Sequence, residues 1–183
     1  MATVILKNVR LAFPDLFQAK QFDGQGAFTY AATFLVEPGS ENDKLVQRAI
    51  IEAVTARWEK KAPDILKTLR GNNQKCCYYP GNLKEYDGFD GMMALSAKRQ
   101  QEAGHPMVVD QKKNELSPSD GKPYGGCYVN AKVDLWAQDN KWGKGIRATL
   151  IAVQFAKDGD AFSATGPATA EGFEEEEGGN ELI

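Results

Sequence analysis

Tyr128-Val129-Asn130-Ala131-Lys132-Val133-Asp134-Leu135-Trp136-Ala137 decides the fold class. Val129, Ala131, Val133, Leu135 and Ala137 fall on one side of a period-two pattern, and Tyr128, Asn130, Lys132, Asp134 and Trp136 on the other, which is the signature of a half-buried strand. A polar turn over 138–145 leads into a second apolar run, 146–155, ended by Lys157-Asp158-Gly159-Asp160. So short a connection predicts antiparallel pairing.

Working outward, residues 3–12 are β-branched and apolar, and Phe13-Pro14-Asp15 should close them, because proline cannot donate to a ladder. Residues 27–36 alternate again, with Phe28, Tyr30 and Phe34 on the heavier face. At Ser40 the period changes. Ser40 is a candidate N-cap, Glu41 and Asp43 suit the positive end of a helix, and Val46, Ala49, Ile50, Ala53 and Val54 recur at helical spacing over 41–60. A second short turn is expected over 63–69. Residues 76–90 mix aromatics with turn formers and show no clear period, whereas 92–98 and 107–110 read as strands.

Five or six short strands with one helix inserted after the second predict a mainly β protein. An open Greek-key barrel, a variant OB-fold, accommodates that order, and a β-sandwich fits the pattern equally well. Residues 1–162 are expected to form one domain. Residues 163–183, dominated by Ala, Thr, Gly, Pro and Glu, are expected to be a disordered acidic C-terminal tail, because such a composition buries too little apolar surface to offset ordering entropy.

The 183 residues carry 22 Lys and Arg against 25 Asp and Glu, a net charge of −3. Six of the acids lie in 171–183, which holds no Lys or Arg, so 1–170 has 22 basic and 19 acidic residues and a charge of +3. A basic body joined to an acidic tail suggests a nucleic-acid connection or an interaction segment. No run approaches the ~20 apolar residues of a membrane span, no cationic leader precedes the first apolar stretch, and three cysteines make no disulfide framework, so a reducing cytoplasm is the expected setting.

Catalytic chemistry has little support. His105, the single histidine, sits in a Gly-His-Pro loop. Cys76, Cys77 and Cys127 read as buried small hydrophobes, because adjacent cysteines are not the C-x₂₋₄-C spacing that chelates zinc. Asp87, Asp90 and Asp110 would be the metal ligands of a magnesium-dependent nuclease, yet aspartates near glycine are more often turn formers. No metal or cofactor is expected.

Stacking aromatics beside cations are the better signal. If Val133 and Leu135 point inward, the pleat turns Tyr128, Lys132 and Trp136 outward, and unpaired bases require flat rings to stack on and cations along their phosphates. Lys98 and Arg99 end one strand, Lys112 and Lys113 follow another, Tyr124 opens the hairpin, and Arg70 and Lys75 flank Tyr78 and Tyr79. Those twelve residues form the predicted nucleic-acid site. In the tail, Glu174, Glu175, Glu176, Glu177 and Glu181 with the apolar Leu182 and Ile183 form a segment that can compete for a basic groove at millimolar effective concentration.

Arg10-x-x-Phe13-Pro14, Arg70-Gly71-Asn72, Gly88-Phe89, Ala94-Leu95-Ser96-Ala97, Pro106-x-Val108-Val109-Asp110, Tyr124-x-Gly126-Cys127-Tyr128-Val129-Asn130-Ala131 and Gly145-Ile146 together resemble a bacteriophage family of single-stranded DNA-binding replication proteins, formerly classed as a domain of unknown function. The resemblance covers most of 3–156 and continues into the tail. It implies a variant OB-fold related to T7-type phage single-stranded DNA-binding proteins, with binding by aromatic stacks and electrostatics. It also implies an acidic C-terminus that contacts replication or recombination proteins and competes with DNA. T7-type tails end in an aromatic residue, whereas Leu182-Ile183 closes this sequence.

The expectation is therefore a non-enzymatic protein of phage replication or recombination that coats single-stranded DNA in the cytoplasm of the bacterial host. The alternatives are the nuclease and a protein-interaction adaptor that works through its tail without binding DNA. Oligomeric state is not legible.

Overall fold

A computed structural model describes residues 2–22 and 24–162. In chain order the elements are β1 (Ala2–Phe22), β2 (Gln25–Val36), α1 (Glu41–Trp58), α2 (Ala62–Arg70), β3 (Tyr78–Pro80), β4 (Met93–Gln100), β5 (Met107–Val109), β6 (Tyr128–Asn140) and β7 (Gly143–Lys157). The expected tail, 163–183, lies outside the described residues.

The strands run in the order β3-β4-β2-β1-β6-β7-β5, and β4 also meets β7 in parallel through Lys98 and Thr149. That contact closes β1, β2, β4, β6 and β7 on themselves. Numbered one to five along the chain, they follow the cycle 1-2-3-5-4-1, with every pair antiparallel except the closing one. One helical insertion, α1 and α2, separates the second and third barrel strands. A Greek-key barrel of this order is an OB-fold, and the sandwich alternative falls away.

β1 is longer than the sequence suggested. Its first half pairs with β6 and its second with β2, so it must bend, and it does so at irregularities between Leu6 and Val9 and between Ala12 and Asp15. Asn8 and Phe13 adopt positive φ there, 54° and 49°. Pro14 was expected to end the strand. It falls inside the second irregularity, where its missing N–H breaks no ladder bond, so the strand continues past it.

α1 begins where Ser40 predicts, with Ser40 Oγ accepting from the Asp43 N–H at 3.2 Å. Its expected inner face, Val46, Ala49, Ile50, Ala53 and Val54, is buried together with Trp58. Each fully buried aliphatic side chain contributes roughly 1.5–3 kcal/mol. Two polar clamps fix the helix across the barrel. Asn42 accepts from the Lys7 N–H at 2.9 Å and donates to the Lys7 carbonyl at 2.8 Å, while the Trp58 indole donates to Asp139 Oδ2 at 2.8 Å.

The β6–β7 hairpin is tighter than expected: Asn140 pairs with Gly143, leaving Lys141 and Trp142 as the turn. A smaller second core, Ala12, Leu35, Tyr79, Phe89, Ala94 and Phe162, packs outside β2 and β4. Phe162 is threaded beneath Arg10, whose guanidinium lies 4.2 Å from the ring centroid and donates to the Asp160 carbonyl at 2.7 Å.

Candidate nucleic-acid interface

The pleat argument holds for β6. Val129, Ala131, Val133 and Leu135 are buried, while Lys132 is exposed and Tyr128 and Trp136 are half-buried on the outer side. Trp136 is held in place by its indole N–H, which donates to Thr149 Oγ1 at 3.1 Å. Thr149 is the residue opposite Lys98 at the barrel closure, and Lys98 in turn stands opposite Ala31 of β2.

Arg147 lies opposite Trp136. Its guanidinium donates to Gln138 Oε1 at 2.8 Å and to the Gln74 carbonyl at 2.7 Å. Residues 74–77 run beside β7, because the Ile146 N–H donates to the Lys75 carbonyl at 2.8 Å and the Cys77 N–H to the Ile146 carbonyl at 3.0 Å. Lys75, Arg147, Trp136, Thr149 and Lys98 therefore form one belt across the closure of the barrel, with strands ~4.8 Å apart. Asp134, opposite Thr149 and hydrogen bonded to Thr3, is the acid on this stretch of β6. A held ring and three cations can stack a base and follow phosphates.

The belt brings together three predicted residues, Lys75, Lys98 and Trp136. Tyr128, eight residues from Trp136 along β6, lies roughly 26 Å away, with Lys157 Nζ 4.8 Å from its ring centroid. Tyr124 belongs to that end, its O–H donating to Asp158 Oδ1 at 2.7 Å. Lys112 and Lys113 are exposed in the turn that follows β5, which is tied to β7 by Gln154. Lys132 lies between the two groups, opposite Ile5 and Ala152.

The remaining candidates are placed otherwise. Tyr78 and Tyr79 are buried, at 3% and 6% exposure, which leaves no ring face for a base. The Tyr78 O–H donates to Asp43 Oδ1 at 2.6 Å, and burial followed by this bond pushes its ionisation well above the usual phenol range. Sequence reasoning missed this because 76–90 has no period, and burial here comes from non-local packing. Arg99 is spent on bracing, donating to the carbonyls of Gly104, Ala103 and Leu150. Arg70 is exposed at the end of α2.

Arg147 and Thr149 were missed, although the pleat argument applied to β7 would have turned both outward. Trp142 is 79% exposed at the hairpin tip with Lys141 Nζ 5.1 Å from its ring centroid.

The residues considered for catalysis are not assembled. Asp110 braces its own turn, accepting from the N–H groups of Lys112 and Asn114 at 2.9 Å each, and Asp87 and Asp90 are exposed in the segment before β4. Among the described residues no group of three or more His, Cys, Asp or Glu is placed to hold a metal ion. His105 Nδ1 lies 2.9 Å from the Pro106 carbonyl. All three cysteines are buried and free, as expected, and burial pushes the Cys127 thiol up to about 11. No helix among the described residues is long and apolar enough to cross a membrane.

An OB-fold barrel with a helical insertion and an outward belt of ring and cations belongs to the class of oligonucleotide-binding barrels. The chain is a member of the Enterobacter phage Enc34 ssDNA-binding protein family, whose model matches residues 2–183. The family and its structural neighbours are single-stranded DNA-binding proteins, not enzymes.

It is 42% identical over 173 residues to protein p50 of Acyrthosiphon pisum secondary endosymbiont phage 1, covering 93% of this chain and 91% of that one. Among solved structures it resembles the single-stranded DNA-binding protein from bacteriophage Enc34 in complex with ssDNA, with a TM-score of 0.73, 24% identity and coverage of 88% and 90%. A C-terminal truncation of the Enc34 protein gives 0.66 at 26% identity, covering 88% of each chain. The bacteriophage T7 single-stranded DNA-binding protein gp2.5 shares the fold at a TM-score of 0.56, 18% identity and coverage of 95% and 98%.

Proposed function

We infer that this chain binds single-stranded DNA with little sequence preference across the β6–β7–β4 belt. Trp136 stacks on a base while Lys75, Lys98 and Arg147 follow the phosphates, and Trp142 offers a second ring at the hairpin tip. Lys132 continues the path along β6 toward Tyr128, Tyr124, Lys112 and Lys113. The observation that carries this reading is the Trp136–Thr149 hydrogen bond, which holds the ring beside the register position of Lys98 at the barrel closure. The DNA complex of the Enc34 protein, a family relative, supports it.

The chain then acts by mass action: binding only the unpaired strand shifts the duplex equilibrium with no bond made or broken. Such a protein serves phage replication or recombination in the host cytoplasm. The acidic segment Glu174, Glu175, Glu176, Glu177 and Glu181 competes with DNA for the cations and contacts partner replication or recombination proteins.

Titration of labelled single-stranded and duplex oligonucleotides over a range of salt tests this. Neutralising about four phosphates gives a slope of log K against log salt of roughly −3, with single strands preferred. A slope near zero, or equal affinity for duplex, rejects it.

A further inference from the structure

From Trp136 onward β6 pairs with β7 alone among the described residues, because its pairing with β1 ends at Leu135. Residues 138–145 thus leave the barrel as a two-stranded pin, an arrangement that is marginal in water unless something holds it. Both of its faces are held. On one, Asp139 accepts from the Trp58 indole at 2.8 Å and pairs with Arg57 at 3.6 Å, so α1 braces the arm, and Lys144 joins the same carboxyl group at 3.7 Å. On the other, Gln138 Oε1 accepts from Arg147 at 2.8 Å, and Arg147 is tied to the Gln74 carbonyl at 2.7 Å. Asn140 Oδ1 closes the tip, accepting from the Trp142 N–H at 2.9 Å and from Gln138 Nε2 at 3.2 Å. At the end of this stiffened arm Trp142 is more exposed than any other large apolar side chain among the described residues. A large ring kept out of every core points to a contact outside the molecule. A ring that only stacks on a flexible single strand needs no brace, whereas one that presses on a duplex does.

We propose that the β6–β7 hairpin is a strand-separating pin whose ligand is the junction where a single strand enters a duplex, with Trp142 stacking on the last closed base pair. Asn140 lies four residues beyond Trp136, about 14 Å along the strand, which is the length of about four stacked nucleotides at ~3.4 Å each. A strand held at the belt by Trp136 therefore delivers its duplex end to the tip. There the indole replaces the stacking that a base loses when its pair opens, as inserted apolar side chains do when they unstack base steps. Lys141, with its Nζ 5.1 Å from the ring centroid, meets the phosphates of the fork. Asp139, the acid within the pin, is paired with Arg57 and Lys144 and so does not repel them. This activity rests on the DNA reading above and goes beyond mass action. Capture of a frayed strand cannot outrun spontaneous fraying, whereas a wedge can.

The test uses the full chain and a DNA hairpin with an unpaired oligothymidylate tail, its stem carrying a fluorophore and a quencher. The spontaneous opening rate is read without protein, by capture with an excess of a strand complementary to one arm of the stem. With the native chain, opening should plateau at saturating protein several-fold above that rate. Trp142→Ala should return it to the spontaneous rate, and Trp142→Phe should keep part of the gain. Both changes lie on an exposed side chain, where substitution leaves the fold intact. In equilibrium titrations Trp142→Ala should lose several-fold more affinity for the tailed hairpin than for the oligothymidylate alone, while Trp136→Ala should lose equally on both. Asp139→Ala, with the ring in place and the α1 brace removed, should also lower the plateau. A native plateau no faster than spontaneous opening, or an equal loss on the two substrates in Trp142→Ala, overturns the proposal. A plateau unchanged by Asp139→Ala overturns the role given to the brace. Failure of the native chain to bind the oligothymidylate rejects the DNA reading instead.

Discussion

The indole of Trp136 donates to Thr149, and Thr149 is the residue that meets Lys98 where β7 closes onto β4. The bond that orients the aromatic ring therefore sits on the seam that makes the sheet a barrel. Ring and cation come from strands 38 positions apart in sequence, and the closure alone makes them neighbours.

Trp136→Ala should weaken binding to single strands of any sequence by about 1–3 kcal/mol, roughly 5- to 150-fold. Trp136→Phe should retain most of the affinity. Anisotropy titration reads both, and unchanged affinity in the alanine variant would assign the ring to packing.

Lys75→Ala, Lys98→Ala and Arg147→Ala should each lower the steepness of the salt dependence by about 0.7–1, with Arg147 also loosening residues 74–77 through its bond to the Gln74 carbonyl. Arg99→Ala should instead lower the melting temperature, because its donors hold the carbonyls of 103 and 104. A salt slope that falls only in Arg99→Ala would exchange these roles.

Tyr78→Phe separates a structural aromatic from a binding one. Removing its bond to Asp43 should cost about 1–3 kcal/mol of stability and leave DNA affinity as it was. Denaturant unfolding together with one oligonucleotide titration decides it, and loss of affinity at unchanged stability would contradict the buried position of the ring.

Asp139 carries a pH dependence. The Trp58 indole bond, with Lys144 and Arg57 nearby, holds its carboxyl below the ordinary 3.8 despite the opposing desolvation. A depressed folded value means that its contribution to stability is complete above pH 3.8 and is lost as the pH falls through the lower folded value. The stability gap between the native chain and Asp139→Asn should shrink as the pH is lowered from 4 toward 2. A gap independent of pH would show that the charge plays no part in the α1 clamp.

Local pattern carried much of this molecule. The outward set Tyr128, Lys132 and Trp136 follows from strict alternation, and the Ser40 cap with its helical face follows from spacing, because both depend on residues close in sequence. What escaped depends on partners far away. Pro14 is tolerated because of register with β2. β3 is a strand only because it pairs with β4, and Tyr78 is buried because α1 supplies Asp43. The hairpin extends to Asn140 on polar residues that leave the barrel and so lose the apolar signal. The belt itself was invisible as a unit, since it needs both the Lys98–Thr149 closure and the pairing of Lys75 with Ile146 across distant parts of the chain.

The most direct test of the central claim is amide chemical-shift mapping of the isotope-labelled chain during titration with an oligothymidylate. The account predicts that the largest shifts fall on 74–76, 96–100, 136 and 145–149, with smaller ones along β6 toward Tyr128. Shifts confined to 112–128 and 157–160, with the belt unmoved, would contradict it.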